Sequence, residues 1–354
     1  MKGKELFDNC YYSAQNVTIA VLNYNGEKIL PDCLESILNL KSNPAEVILV
    51  DDGSSDRSIQ IVSEQFPNIR IIEIGYNSKR LNVVRNRAIE ESKTGLVMIV
   101  DNDVTLSSNC LDRLLNSMQK LPNASVCMPR TLFAHDHNII YQDGQTLHYI
   151  GATLAVNRGI SLKTADAEPR LSIGWGVQLI DKNKAKEVGN FNENYVMGWG
   201  DDGEFNHKMN LTGNFCYHIP AAVVYHKRVT GAKRYYGTVR NRIRFLIECY
   251  ELKTLILTMP ALLIYEISLI LFLLKDGAIR DYFRAIKYIF KKFFSIVSTR
   301  RIIQSKRQMK DVDLMTSGDL FIYDEYMKAK VLRLGFSILN GFLNSYWKLI
   351  QGVL

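Results

Sequence analysis

The stretch Gly95–Asp103 restricts the folds open to this chain more than any other. Leu96-Val97-Met98-Ile99-Val100 is an unbroken apolar run without alternation. That is the pattern of a strand buried on both faces, and such strands belong to parallel sheets covered by helices. The run ends in Asp101-Asn102-Asp103, so two carboxylates leave it together, on one side of an extended chain. Taken alone, the triplet is equally a solvated turn after a strand. Paired acids at the mouth of a parallel sheet also suit magnesium or manganese, which take a few carboxylates and fill the remaining positions with water and phosphate oxygens.

The preceding residues repeat the pattern. Val17–Leu22 reads as a strand, broken by Asn23-Tyr24-Asn25-Gly26, and a helix is predicted over Ile29–Leu40 from its apolar spacing. Val47–Val50 is a second buried strand, ending in Asp51-Asp52-Gly53-Ser54-Ser55-Asp56, whose serines or Asp56 can cap a helix over Ile59–Phe66. A strand over Ile69–Ile74 and a helix over Val83–Glu91 lead back to Gly95. Strand and helix alternating through short connections give parallel strands with right-handed crossovers, and ligands then sit beyond the carboxyl ends of the strands. Asp51-Asp52 and Asp101–Asp103 both fall there. No glycine-rich loop with a lysine follows the first strand, so the chain is neither a P-loop nor a dinucleotide-binding protein. A literal G-x-G-x-x-G at Gly198, Gly200 and Gly203 comes late, follows no clean strand and holds Asp201 and Asp202 where a pyrophosphate would lie.

These motifs resemble the family 2 glycosyltransferases of the GT-A fold, over roughly Val17 to Lys227. The resemblance rests on Leu22-Asn23-Tyr24-Asn25, Val50–Ser54, Val84-Arg85-Asn86, the D-x-D of Asp101-Asn102-Asp103, Gly189–Glu193, Asp201-Asp202 with Glu204-Phe205 and Lys208, then Gly213 and Ile219–His226. The chain departs from the family pattern at Lys79, where glycine is usual, at Asp201, where glutamate is, and at Lys208, where arginine is common.

The resemblance implies an α/β fold with a GT-A type, Rossmann-like, mostly parallel sheet flanked by helices. It implies inverting transfer of a sugar from a nucleotide-sugar donor to an acceptor hydroxyl. Asp103, Asp101 directly or through water, and His226 would hold Mn2+ or Mg2+ on the donor diphosphate. Asp202 would be the general base, and Asp201 would orient its loop or the acceptor. Asp51 and Asp52 suit hydrogen bonds from a base or ribose. Asn23, Tyr24, Asn25, Arg85, Asn86, Asp101, Asn102, Trp199 and Lys208 complete the expected substrate contacts, with Arg85 toward phosphate and Trp199 stacking on a sugar. Trp175 suits stacking too, though a buried indole describes it as well.

Charge marks out the C-terminal third. The chain carries a net charge of +8, yet Arg240–Lys310 alone holds fifteen lysines and arginines against five acids. Within it, Thr254–Leu274 is apolar and long enough to cross a bilayer, but Pro260 and Glu266 interrupt it and basic residues flank both ends. A broken, re-entrant or in-plane hairpin is predicted. Arg280, Arg284, Lys287 and Lys291 then recur at helical spacing opposite Phe283, Ile286, Ile289, Phe290, Phe293 and Val297, as in a helix lying on anionic lipid. A nucleic-acid surface would not need that apolar face. Gly335–Leu354 is a further apolar helix, interfacial or packing. Six cysteines without a C-x-x-C pair read as buried thiols in a reducing compartment, and the polar Met1–Asn16 lacks the apolar core of a signal peptide.

The expected organisation is a tail over residues 1–15, a catalytic domain over 16–232 with a nucleotide-sugar half (16–103) and an acceptor half (104–232), and a helical membrane-associated region over 233–354. The expected role is extension of a glycan acceptor, expected to be lipid-linked, on the cytoplasmic face of the cell membrane, as a peripheral or re-entrant protein. Two alternatives stand beside it: a polyprenyl-phosphate monosaccharide synthase and a non-catalytic nucleotide-sugar-binding membrane adaptor.

Overall fold

The computed structural model describes residues 11–354 apart from 175, 228–233 and 321–329. Strands β1 (Val17–Asn23), β2 (Glu46–Asp51), β3 (Arg70–Glu73) and β4 (Leu96–Asp101) are linked by helices α1 (Leu30–Leu38), α2 (Ser58–Gln65) and α3 (Leu81–Glu91). They run parallel in the order β3-β2-β1-β4. Alternation sorts their side chains between two cores. Ile19, Val21, Leu49, Met98 and Val100 pack with Leu30, Leu34 and Ile37 of α1, whereas Ala20, Leu22, Ile48, Val97 and Ile99 pack with Val84, Ala88 and Ile89 of α3. Removing each such aliphatic side chain from water is worth about 1.5–3 kcal/mol, which explains why β1 and β4 contain no polar alternation. The N-cap of α2 is Arg57, which makes no side-chain capping bond; Asp56, one residue earlier, accepts from the Ser58 N–H at 3.0 Å.

The second half comprises β5 (Val104–Leu106), α4 (Cys110–Lys120), β6 (Ala124–Phe133), β7 (Asp136–Gln142), β8 (Gln145–His148), β9 (Ala152–Ala155), β10 (Arg170–Leu171), β11 (Gln178–Asp181), α5 (Lys182–Glu187), α6 (Gly203–Leu211) and β12 (Phe215–His226). Here the sheet becomes mixed: β11 enters antiparallel between β4 and β6, and β12 lies parallel to β6 while β5 pairs antiparallel with it.

The C-terminal third contains α7 (Tyr235–Cys249), α8 (Leu252–Lys275), α9 (Ile279–Ser305), α10 (Asp311–Leu314), β13 (Met315–Thr316) and α11 (Lys330–Ile350). The break expected at Pro260 is absent, because α8 runs continuously through it with the proline exposed. The chain reverses later, at Gly277 (φ +71°) between α8 and α9. β13 pairs with β8, so the last third returns to a sheet begun before residue 232. One side of the final helix packs on the protein: Trp347 stacks on Tyr149 with ring centroids 4.9 Å apart, and Leu343 and Ile350 are buried beside it, while Leu334, Ile338 and Leu349 are exposed. Among the described residues the five cysteines are all buried free thiols.

Candidate active site

Strand register brings the first acids level. Asn23 lies opposite Asp51, and Leu22 opposite Asp101. The buried Asn23 amide donates to Asp51 Oδ1 at 2.8 Å, and its oxygen accepts from Asn102 Nδ2 at 2.7 Å. One side chain thus ties the end of β2 to the middle of the D-x-D. Asp51 also accepts from the Ser54 N–H (2.8 Å) and hydroxyl (2.6 Å), so both of its oxygens serve the turn. Its neighbour Asp52 accepts from the Ser78 N–H at 2.9 Å and faces a cavity. Asn25, at φ +50°, spends its oxygen on the Ser55 N–H at 2.8 Å.

The cavity has a volume of about 520 Å3 and lies beyond the carboxyl ends of the parallel strands. Of the expected residues it gathers Asn23, Tyr24, Asp52, Asp101, Asn102, Asp103 and His226, and it adds Tyr141, Met197, Lys79, Arg80 and Arg234. His226 arrives from far along the chain because β12 pairs with β5, which sets it opposite Val104. Its Nε2 stands 3.5 Å from Asp103 Oδ2, and the Tyr141 ring stacks on it at 4.8 Å.

Among the described residues no three potential metal ligands converge. Asp103 and His226 nevertheless form a converging pair on the cavity wall, the number of protein ligands that suffices when diphosphate oxygens and water complete an octahedral shell. Asp101 lines the same cavity, with its carboxylate against Gly176: a Cβ there would lie 2.3 Å from its Oδ2. Burial raises the Asp101 carboxyl above its ordinary range, Arg85 opposes that rise, and Asp103 adds to it.

The remaining expected contacts are engaged within the protein. Arg85 is buried, donates to Asn82 Oδ1 at 2.9 Å and stands 3.6 Å from Asp201 Oδ2. Asn86 brackets the loop ahead of Asp201, bonding the Phe191 carbonyl (2.9 Å), the Phe191 N–H (3.0 Å) and Glu193 (2.8 Å). Lys208 pairs with Glu204 at 3.1 Å and donates to the Asn190 carbonyl at 3.0 Å, away from the cavity wall. Trp199 packs edge-on against Phe245 at 5.0 Å. Trp175 lies outside the described residues.

Asp201 and Asp202 precede α6 and do not line the cavity. They adjoin it through one loop: Gly174 touches Asp202, with an ideal Cβ 3.4 Å from both carboxylate oxygens, and Gly176 touches Asp101. Burial raises the Asp201 carboxyl, while Arg85 pulls it down. Asn82 was not anticipated, yet its amide holds the Asp201 carbonyl at 2.7 Å while its oxygen receives Arg85. The spacing Asn82-x-x-Arg85 on one helix face was the available signal.

Lys79 resolves the departure noted in the sequence. It adopts φ +55°, the left-handed backbone that glycine takes freely, and its amide is held by Asn77 Oδ1 at 2.8 Å. The loop therefore keeps the shape a glycine would give it, and the lysine side chain is added to the cavity wall.

Residues 18–170 match Glycosyl transferase family 2. A teichoic acid poly(glycerol phosphate) polymerase of Staphylococcus epidermidis is 38% identical over 96 residues, 26% of this chain but only 13% of that protein's length. An N-acetylglucosaminyl-diphospho-decaprenol L-rhamnosyltransferase of Mycobacterium tuberculosis is 22% identical over 240 residues, 61% of this chain and 77% of that one. The crystal structure of GalNAc-T7 with UDP, GalNAc and Mn2+ shares the fold, with a TM-score of 0.55 over 66% of this chain and 48% of that one, at 16% identity.

Proposed function

We propose that this chain, which carries a glycosyl transferase family 2 domain of GT-A architecture, transfers a sugar with inversion from a nucleotide-sugar donor to a hydroxyl of a cell-surface glycan acceptor. The observation that carries the reading is the cavity itself: Asp52, the Asp103–His226 pair and three cations gathered at the carboxyl ends of parallel strands. Asp52 takes the nucleoside, and Lys79, Arg80 and Arg234 face the diphosphate. A divalent cation bound by Asp103 and His226 would neutralise the charge developing on that diphosphate. Asp202 removes the acceptor proton as the hydroxyl attacks the anomeric carbon on the face away from the nucleotide, which inverts that centre in one displacement. Asp201, fixed by Arg85 and Asn82, positions Asp202.

A lipid-linked acceptor is supported by the acceptor in the rhamnosyltransferase's name and by helix α8, an 18-residue stretch of which has a mean hydropathy of 2.2. The reading is tested by donor hydrolysis and transfer across a panel of nucleotide sugars with manganese or magnesium. Asp202→Asn is expected to abolish transfer and keep donor binding, while Asp103→Ala loses metal-dependent donor binding. Wild-type transfer in Asp202→Asn would remove it as the base, and failure of every donor to bind would favour a non-catalytic role.

A further inference from the structure

Helices α8 and α9 carry a surface for which sugar transfer has no use. On α8, Leu252, Ile256, Met259, Leu263, Ile267 and Leu271 are all exposed and recur at steps of three or four residues, so they form one apolar stripe along the helix. On α9, Phe283, Phe290 and Phe294 are 63%, 77% and 87% exposed and share a face by the same spacing. Solvated phenylalanines at that exposure are costly to leave open, and three on one helix form a patch rather than scattered exceptions. Exposed Arg280, Arg284, Lys287 and Lys291 run beside them at matching steps; among the described residues Arg284 alone of the four is in an ion pair, with Asp281 at 3.2 Å, and its guanidinium also lies 3.9 Å over the Tyr236 ring. The inward side of α9 is a separate face, with Tyr282, Ala285, Ile289 and Ile296 buried. This differs from the two-faced helix expected from sequence: Ile289 faces the protein, and the outward phenylalanines adjoin the cations instead of opposing them.

We propose that this face docks on a phospholipid bilayer containing anionic lipid, with α8 lying along the membrane surface and not crossing it. The proposal deepens the membrane-associated reading above and rests on it. Aromatic rings flanked by a row of cations match the chemistry of a bilayer interface, where rings enter the acyl boundary and amines meet lipid phosphates. At 24 residues α8 would be about 36 Å long, enough to span hydrocarbon. Its inward side, however, is fixed to the protein along its length. Thr254 and Thr258 are buried near one end and Leu273 near the other. Midway, Glu266 pairs with the buried Arg242 and accepts from the Tyr282 hydroxyl at 3.2 Å. Crossing would drag that ion pair and the helix carrying Arg242 into lipid, at a cost no observed contact offsets.

The test is flotation of the purified chain with vesicles of phosphatidylcholine alone or with about one third phosphatidylglycerol. Binding is expected to the anionic vesicles, to fall in molar salt, and to weaken about tenfold in Phe290→Ser and in Phe294→Ser. Both residues are exposed, so melting temperature and detergent-solubilised donor hydrolysis should stay at wild-type values. In a Cys10→Ser background, Lys253→Cys and Lys275→Cys, at opposite ends of α8, should react with an impermeant thiol reagent from the same side of sealed vesicles. Indifference to anionic lipid, wild-type binding by the phenylalanine variants, or labelling from opposite sides would each overturn the proposal. Absent vesicle binding with intact donor hydrolysis removes this surface and leaves the transferase reading standing; vesicle binding without any donor consumption does the reverse.

Discussion

A single methyl group at position 176 tests whether the placement of Asp101 matters for turnover. In Gly176→Ala the new Cβ would lie 2.3 Å from Asp101 Oδ2 and 3.4 Å from its Cγ. Relief requires a movement of about 1 Å, since carbon–oxygen contacts settle well above 3 Å. Asp101 ends β4, where its backbone is locked opposite Leu22, so the carboxylate must swing while the strand stays. A displacement of that size at a reacting centre costs about 100-fold, or about 2.7 kcal/mol of barrier. The loss of folding stability should stay within the usual overpacking range of about 1–3 kcal/mol. The assay is turnover at saturating donor, beside donor affinity and thermal melting, for Gly176→Ala and Gly174→Ala. The latter meets Gln145 and Asp202 only at 3.3 and 3.4 Å and should lose much less. Turnover within about threefold of wild type in a folded Gly176→Ala protein would refute the reasoning, because the Asp101 carboxylate would then have no position that the chemistry needs.

Asn23→Ala strips a partner from both Asp51 and Asn102, so equilibrium denaturation should show a loss of about 2 kcal/mol, with turnover falling as the D-x-D loosens. Lys79→Gly relieves a left-handed lysine, so the melting temperature should not drop, while donor affinity should fall about fivefold with loss of a cavity cation; unchanged affinity would take Lys79 out of the donor site. Asp143 predicts the acid limit of the fold. Burial opposes its ionisation, but His218 at 2.5 Å, Arg130 at 2.7 and 2.8 Å and Asn157 at 2.7 Å prevail and hold it below the usual carboxylate range. A depressed folded value means that its stabilisation is complete above the unfolded value of about 4 and drains away as pH falls toward the folded one. Urea midpoints should therefore be flat from neutral pH down to about 5 and decline below about 4, and Asp143→Asn should be less stable at neutral pH with a shallower acid decline.

The parallel half of the fold was legible because its determinants are local. The β-branched run Val17–Leu22 and the uninterrupted apolar runs Val47–Val50 and Leu96–Val100 read as buried strands, and a chain that alternates them with helices has few topologies available. Helix α3, predicted from Val83, begins two residues earlier at Leu81, and the break expected at Pro260 did not occur. In α8 Pro260 sits on the exposed side of a helix whose other side is anchored, so packing overrode the local propensity.

The candidate site divides along the same line. Sequence by itself determined which acids stand at strand ends, because a residue's place along a strand is a local property, and so put Asp52 and Asp103 at one edge of the sheet; His226 joined them only through the family resemblance. It could not separate Asp51 from Asp52, or Arg85 and Lys208 from true cavity cations, since those differences depend on which neighbours a side chain meets across more than a hundred residues. Only the tertiary structure turned Asp51 and Asn86 inward, put Tyr141 against His226, and set the phenylalanines of α9 beside its cations instead of behind them. Local pattern fixes what a segment can be; the partners that satisfy each buried donor and charge come from other segments, and only their packing decides which side chains remain free to meet a substrate or a membrane.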